Sequence, residues 1–228
     1  MKKKILLLLV VIFSITLTAC AKKDAKEFKK EYETMNGTTN ANGKEHRSVT
    51  IPKDNPIVIS NAKEIVKMIE DEETFYVYFG STLCPWCRSV IEKALEVANA
   101  NGIKKIYYVD IWDSEGNEIL RDKYTLDDNN KPVKSIDGTE EYSKLLTYLD
   151  DVLEDYTYKL DDKTLSYGEK RIYAPTFIYL AKGKAIRMTT GISSLQSGAR
   201  DELTKEILAD EEKQFDEFFL NTCNEDAC

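Results

Sequence analysis

Two cysteines separated by two residues constrain this chain more than any other feature. Cys84 and Cys87 follow an aromatic and β-branched run at 74–79 and precede a segment with helical spacing at 88–100. The run predicts a buried central strand, because such residues pack well on a covered sheet. A second β-rich run at 104–111 completes a strand–helix–strand unit, which implies a parallel pair with a right-handed crossover. The sequence therefore predicts an α/β fold with the cysteine pair where a strand meets a helix.

This position suits the two thiols to redox chemistry. Cysteines at this spacing can close a small disulfide ring with little backbone movement. The unpaired N–H groups and partial positive charge of a helix N-terminus favour a thiolate. We therefore predict that Cys84 is the nucleophile, with a pKa below the ordinary value of about 8.5, and that Cys87 resolves the mixed disulfide. Pro85 suits the first helical turn, where its missing N–H is no loss, and Trp86 offers a surface to an incoming polypeptide.

Two other interpretations of the pair stay open at this stage. A structural zinc site usually needs four ligands, and the further candidates, Cys223 and Cys228, are spaced differently near the other end of the chain. We therefore expect no metal. The second alternative is a purely structural small-loop disulfide, which the strand–helix–strand setting disfavours.

The N-terminal segment predicts the compartment. Three lysines at 2–4 precede an apolar run at 5–18, a pattern typical of a signal peptide and shorter than the ~20 residues that span a bilayer. Residues 17–20 (Leu-Thr-Ala-Cys) resemble a bacterial lipobox. The resemblance implies that residues 1–19 are removed and that Cys20 is lipidated. The expected location is the extracellular face of the cytoplasmic membrane, with a lipid anchor.

The net charge limits the possible binding partners, and the composition of residues 20–50 indicates whether that segment is folded. The chain carries a net charge of -8, and removal of residues 1–19 takes three lysines and brings it to -11. Nucleic acid phosphates repel such a protein, so no nucleic acid partner is expected. Residues 20–50 are rich in Lys and Glu and then in Asn, Thr and Gly, which predicts a flexible tether. His46, the one histidine, is expected in a solvated loop of this tether.

The folded domain is predicted over residues 51–222, with an insertion at about 112–170. Within the insertion, a polar turn between two short strands precedes an amphipathic helix at 140–156. A strand at 171–180, a hairpin turn with its partner strand, and a terminal helix at 200–220 complete the domain.

The order of these elements resembles the thioredoxin family. The shared features are a strand, a Cys-x-x-Cys that opens a helix and, about ninety residues later, a proline before a β-hairpin and a terminal helix. The resemblance covers residues 56–220 apart from the insertion. It implies a thioredoxin-like fold, a central mixed sheet flanked by helices, with an inserted helical or irregular segment. It also implies that Pro175 is a cis-proline beside the cysteine pair, and that residues 174–176 (Ala174, Pro175, Thr176) bind substrate backbone as an added strand.

The same resemblance implies a function. With the lipobox, the chain is most similar to thioredoxin-like lipoproteins of Gram-positive bacteria, often labelled bacteriocin-transport accessory proteins. The implied activity is thiol–disulfide exchange without a cofactor, on extracytoplasmic protein thiols or disulfides, with a redox partner in the membrane. The family's buried Asp six residues before the first cysteine is replaced here by Tyr78, and the central Gly-Pro by Pro-Trp. The direction of electron flow stays open, as do two alternatives: a non-catalytic binding module for an exported peptide or transporter, and a purely structural lipoprotein.

A second cysteine pair lies in a short tail at 223–228. Because thiols tend to oxidise outside the cell, we predict a structural Cys223–Cys228 disulfide. A redox relay to the first pair is the other interpretation, which the acidic residues beside Cys228 disfavour because they raise a thiol pKa.

Overall fold

The structure is a computed structural model that describes residues 22–40 and 42–220. The predicted signal peptide at 1–19, the lipidation site Cys20 and the Cys223–Cys228 pair lie outside the described residues and stay predictions.

A mixed five-stranded sheet occupies the centre of the fold. Its strands are β1 (Ile57–Ile59), β2 (Phe75–Gly80), β3 (Ile106–Asp110), β8 (Thr176–Ala181) and β9 (Lys184–Thr189). Their order is β1-β3-β2-β8-β9; β1 and β2 run parallel to β3, and β8 runs antiparallel to β2 and β9. Every residue of β2 is buried, because helices cover both faces of the sheet. The predicted central strand and parallel unit are confirmed.

In the part of the chain that the structure describes, five α-helices flank this sheet, namely α1 (residues 22–34), α2 (Ala62–Glu70), α3 (Pro85–Ala100), α4 (Glu140–Tyr148) and α5 (Lys205–Leu220). One apolar cluster joins α1, α3 and α5 to one face, where Tyr76 and Tyr78 of β2 point. A second joins α2 and α4 to the other face, where Phe75, Val77 and Phe79 point. The α/β architecture with a central mixed sheet between helices is thus as predicted.

The prediction of a flexible tether at 20–50 is wrong for the described part of that segment. Residues 22–34 form α1, and Ala25, Phe28 and Tyr32 on one side of it are buried. Their spacing of three and four residues places them on one helical stripe. Phe28 and Tyr32 belong to the core cluster that also contains α3. The lysines and glutamates that suggested a tether are mostly on the opposite, exposed side of the helix.

Arg88 fastens this N-terminal segment to the rest of the domain. Its side chain is fully buried. The guanidinium donates to the carbonyls of Arg47 (2.7 Å), Tyr32 (2.9 Å) and Thr82 (3.1 Å) and to the side-chain oxygen of Asn36 (2.6 Å). A buried cation needs such acceptors, because it has lost its hydration. The segment around α1 is therefore part of the folded unit.

His46 is buried, which contradicts the predicted solvated loop. Its backbone N–H donates to the carbonyl of Thr38 at 2.8 Å, within a short loop that folds back on itself. Burial lowers the pKa of His46, and the positive charges of Arg88 and Arg200 lower it further.

The insertion consists mainly of hairpins rather than of helical or irregular chain. Strands β4 (Lys123–Leu126) and β5 (Pro132–Ile136) form the hairpin predicted around the polar turn. The predicted helix at 140–156 ends at Tyr148, and β6 (Glu154–Leu160) pairs with β7 (Lys163–Arg171). In β6 the tyrosines alternate with exposed polar residues, a period that belongs to a strand.

Two other predicted boundaries are also wrong. The strand predicted at 171–180 is divided, because β7 ends at Arg171 and β8 begins at Thr176, with Pro175, which lacks an N–H for a ladder, between them. The terminal helix begins at Lys205 rather than at 200. The side-chain oxygen of Thr204 accepts the N–H of Ile207 at 3.3 Å, which is a typical helix-capping contact.

Glu211 on α5 makes stability depend on pH. The side chain is fully buried, and neither carboxylate oxygen has a hydrogen-bond partner among the described residues. Burial raises the pKa of Glu211 to about 7, although Arg47 and Lys93 act in the opposite direction. The folded protein therefore holds this proton more tightly than the unfolded chain does. The stability that the protonated group contributes is lost as the pH rises from about 4.5 to about 7.

We expect Glu211→Gln to stabilise the protein at pH 8 by about 2 to 3 kcal/mol and to have little effect at pH 4.5. Urea unfolding at both pH values measures this difference. The matched control is Glu217→Gln, an exposed carboxyl on the same helix, for which no pH-dependent gain is expected. Equal effects of Glu211→Gln at the two pH values would contradict the assignment.

Candidate functional site

The cysteine pair lies at the carboxyl end of β2, where α3 begins. Cys84 is the N-cap of α3, and Pro85 is its first residue. The backbone N–H of Cys87 donates to the Cys84 sulfur at 3.4 Å. A helix N-cap normally accepts such an N–H with an oxygen, so the thiol of Cys84 occupies the place of a capping group. This confirms the strand–cysteine–helix placement that the sequence predicts.

The surroundings of the two thiols differ. Both are free in the structure, and both are buried. Contact with the Cys87 thiol lowers the pKa of Cys84 against the opposing effect of burial, and the N–H groups of Cys87 and Trp86 lower it further. Burial raises the pKa of Cys87 well above its usual range. Cys84 is consequently the thiol that ionises first, and Cys87 is held as a thiol.

The loop before β8 lies against Cys84. The Ala174–Pro175 peptide bond is cis, and the Cys84 thiol donates to the carbonyl of Ala174 at 3.4 Å. Pro175 and Thr176 are buried, whereas Ala174 and Trp86 are half-buried. The structure thus brings Cys84, Cys87 and Ala174 together as the sequence predicts.

Arg121 connects the insertion with this site. Sequence analysis missed this role of Arg121. Its guanidinium is buried, pairs with Glu118 at 2.7 Å and donates to the carbonyl of Ile172 at 3.1 Å. Ile172 lies three residues before the cis-proline, and the charge of Arg121 contributes to the lowered pKa of Cys84. The insertion therefore holds the proline loop and adds positive potential at the nucleophile.

A layer of buried hydroxyls lies behind Cys87. Tyr78 of β2 faces Cys87 and lowers the pKa of its thiol against the effect of burial, and the Tyr78 hydroxyl lies 2.8 Å from that of Tyr32 on α1. The Tyr32 hydroxyl donates to the carbonyl of Ser81 at 3.3 Å. Sequence analysis noted Tyr78 without a role and missed Tyr32; the periodic spacing of Ala25, Phe28 and Tyr32 was the available signal.

Two grooves meet beside the pair at Leu83. One, of about 700 Å³, lies between α1 and the loop after β3 and is lined by lysines and carboxylates. The other, of about 580 Å³, is lined by Pro85, His46 and Trp112. Both volumes are sufficient for several side chains of a polypeptide.

Comparisons with known proteins do not assign this site. No protein-family model matches the chain, and no curated protein matches its sequence.

Among residues 22–40 and 42–220, His, Cys, Asp and Glu side chains form no group of three that could hold a metal ion. Within the same residues, no helix is long and apolar enough to cross a bilayer.

Proposed function

We propose that this chain is a membrane-anchored thiol–disulfide oxidoreductase with a thioredoxin-like fold. The observation that carries the proposal is the Cys84 thiol at the N-terminus of α3. It accepts the N–H of Cys87 at 3.4 Å and lies 3.4 Å from the carbonyl of Ala174. A thiol with a lowered pKa beside the half-buried loop that precedes β8 is suited to exchange with protein disulfides.

In the reducing direction, the Cys84 thiolate attacks one sulfur of a substrate disulfide. A bond forms between Cys84 and that sulfur, and the other substrate sulfur leaves as a thiolate and takes a proton. Cys87 then attacks Cys84, which releases the first substrate sulfur and leaves a Cys84–Cys87 disulfide. The oxidising direction reverses these steps. Because Cys87 keeps its proton, the mixed disulfide persists until Cys87 ionises and attacks Cys84.

The substrate is proposed to bind in extended form along the loop before β8. Its backbone would pair with Ala174, while Pro175 and Thr176 hold this edge in place and Trp86 covers the substrate side chains. The half-exposed positions of Ala174 and Trp86 support this arrangement. A substrate N–H would take the place of the Cys84 thiol as the donor to the Ala174 carbonyl.

Location and partners belong to the same proposal. Removal of residues 1–19 and lipidation of Cys20 would hold the domain at the outer face of the cytoplasmic membrane. The substrates are then extracytoplasmic proteins, and a membrane redox partner regenerates the pair. The Cys223–Cys228 pair is proposed to be a structural disulfide.

The reduction potential of the Cys84–Cys87 couple is the test. The protein would begin at Ala21 and carry Cys223→Ser and Cys228→Ser, so that one couple reports, with Cys84→Ser as the inactive control. We expect exchange with glutathione and a potential between about -270 and -120 mV. A value near -270 mV with insulin reduction indicates a reductase, and one near -120 mV a disulfide-forming oxidase. A value below about -300 mV without exchange would contradict the proposal.

The binding-module alternative has support from one observation. The half-buried rings of Tyr156 and Tyr158 each contact the ring of Tyr167 on one face of the β6–β7 hairpin. Such aromatic surfaces are common in polypeptide recognition. This alternative requires that the Cys84→Ser protein still binds its partner and retains its biological function.

A further inference from the structure

Resolution of a mixed disulfide requires Cys87 to become a thiolate in a place that opposes ionisation. Its side chain is fully buried, and burial raises its pKa. The ionisable groups that face it are Cys84 and Arg88 from α3, Tyr78 from β2, Tyr32 from α1 and Tyr108 from β3. The guanidinium of Arg88 is already bonded to backbone carbonyls of the N-terminal segment. Besides the backbone N–H of Ser81, the tyrosine hydroxyl groups are therefore the donors available to Cys87.

We propose that Tyr78 donates a hydrogen bond to the Cys87 sulfur as that sulfur ionises, and that Tyr32 positions Tyr78 for this role. The inference rests on the proposed exchange reaction. With Cys87 protonated, the Tyr32 hydroxyl donates to the Ser81 carbonyl and therefore accepts from Tyr78. With Cys87 ionised, both hydroxyls turn, so that Tyr32 donates to Tyr78 and Tyr78 to the sulfur. Each hydroxyl keeps its proton, because burial raises the pKa of both tyrosines well above the usual range.

The balance of the step is simple. Cys87 loses its proton and forms the bond to Cys84, while the bond between Cys84 and the substrate sulfur breaks. The departing substrate thiolate takes up one proton, so no external acid, reductant or oxidant is consumed. The tyrosines contribute hydrogen bonds alone. Bonds to a charged group are stronger than neutral ones, so the contribution is largest when the sulfur is ionised.

Packing holds the Tyr78 hydroxyl at this position. Its ring stacks between Phe177, at 4.3 Å between centroids, and Tyr108, at 5.3 Å. It also lies across Gly80, where an added Cβ would be 2.3 Å from the Tyr78 hydroxyl. A side chain at position 80 would therefore displace the ring. The absence of a side chain at Gly80 therefore leaves room for the Tyr78 hydroxyl.

The test separates the two chemical steps in a single turnover against a disulfide-bonded peptide, with acid quenching and mass spectrometry. For Tyr78→Phe we expect attack by Cys84 within about twofold of wild type and resolution slowed about 10- to 100-fold, with accumulated mixed disulfide. The pH profile of resolution should also move to higher pH. Tyr32→Phe should slow resolution less, by about 3- to 10-fold. Tyr107→Phe, which removes the neighbouring hydroxyl on the opposite face of β3, is the matched control and should resolve at the wild-type rate.

The outcomes distinguish this inference from the proposed function. Absence of exchange in the wild-type protein would contradict both. Normal exchange in wild type together with an unchanged resolution rate and pH profile in Tyr78→Phe would overturn the role of Tyr78 alone. Should Tyr78→Phe fail to fold, the resolution rate of Tyr32→Phe decides: a slowed rate supports the inference, and a wild-type rate overturns it.

Discussion

Replacement of Cys84 by serine is expected to slow thiol–disulfide exchange at least about 1,000-fold, because a serine hydroxyl neither ionises near neutral pH nor forms a disulfide.

Cys87→Ser retains the nucleophile and loses the resolving thiol. It is expected to accumulate covalent adducts with substrate proteins that dithiothreitol releases. Mass spectrometry of these adducts identifies the substrates.

The matched control for both variants is the Cys223→Ser, Cys228→Ser protein, which keeps the redox pair. Its exchange rate is expected to stay within about twofold of wild type if the second pair is structural. Undiminished biological function of Cys84→Ser would contradict an enzymatic role and favour the binding module.

A chain that begins at Thr50 is expected to lose about 5 kcal/mol or more of its free energy of unfolding, which is comparable with the whole stability of a domain. It lacks Phe28 and Tyr32, each of which stabilises the fold by about 2 to 3 kcal/mol through burial. It also lacks acceptors of the buried Arg88 guanidinium. Urea unfolding of this chain, compared with one that begins at Ala21, measures the difference.

Point variants within α1 refine this test. Phe28→Ala is expected to cost about 3 to 5 kcal/mol, as for other fully buried phenylalanines. Lys30→Ala, on the exposed side of the same helix, should change stability by less than about 0.5 kcal/mol. Equal stabilities for the chains that begin at Ala21 and at Thr50 would mean that α1 is not part of the cooperative unit.

The cysteine site could be predicted because its determinants are local. The aromatic run before Cys84 and the helical spacing after Cys87 lie within a few turns of the pair, and each has a clear period. The prediction of a flexible tether is wrong for residues 22–34 because it follows the composition of the segment rather than the spacing of its apolar residues. Its many lysines and glutamates suggested a solvated chain, although Ala25, Phe28 and Tyr32 recur at helical spacing.

The contact of Tyr32 with Tyr78 could not be predicted in the same way. The two residues are 46 positions apart, and their hydroxyls meet only because α1 packs on the face of the sheet that carries Tyr78. The prediction of a long helix at 140–156 failed for a related reason. Tyrosine and threonine in β6 favour a strand, but the strand exists through pairing with β7, which single-segment periodicity does not detect.

The position of α1 sets the working distance of the redox pair. With Cys20 lipidated as proposed, one residue, Ala21, separates the anchor from the first residue of α1. The two peptide units that join Cys20 to residue 22 extend over at most about 7 Å. A helix over residues 22–34 is about 20 Å long. Tyr32, near the far end of this helix, contacts the layer behind Cys87. Under that proposal, Cys84 would operate within roughly 30 Å of the lipid headgroups, a distance that favours polypeptides close to the bilayer surface over proteins farther from it.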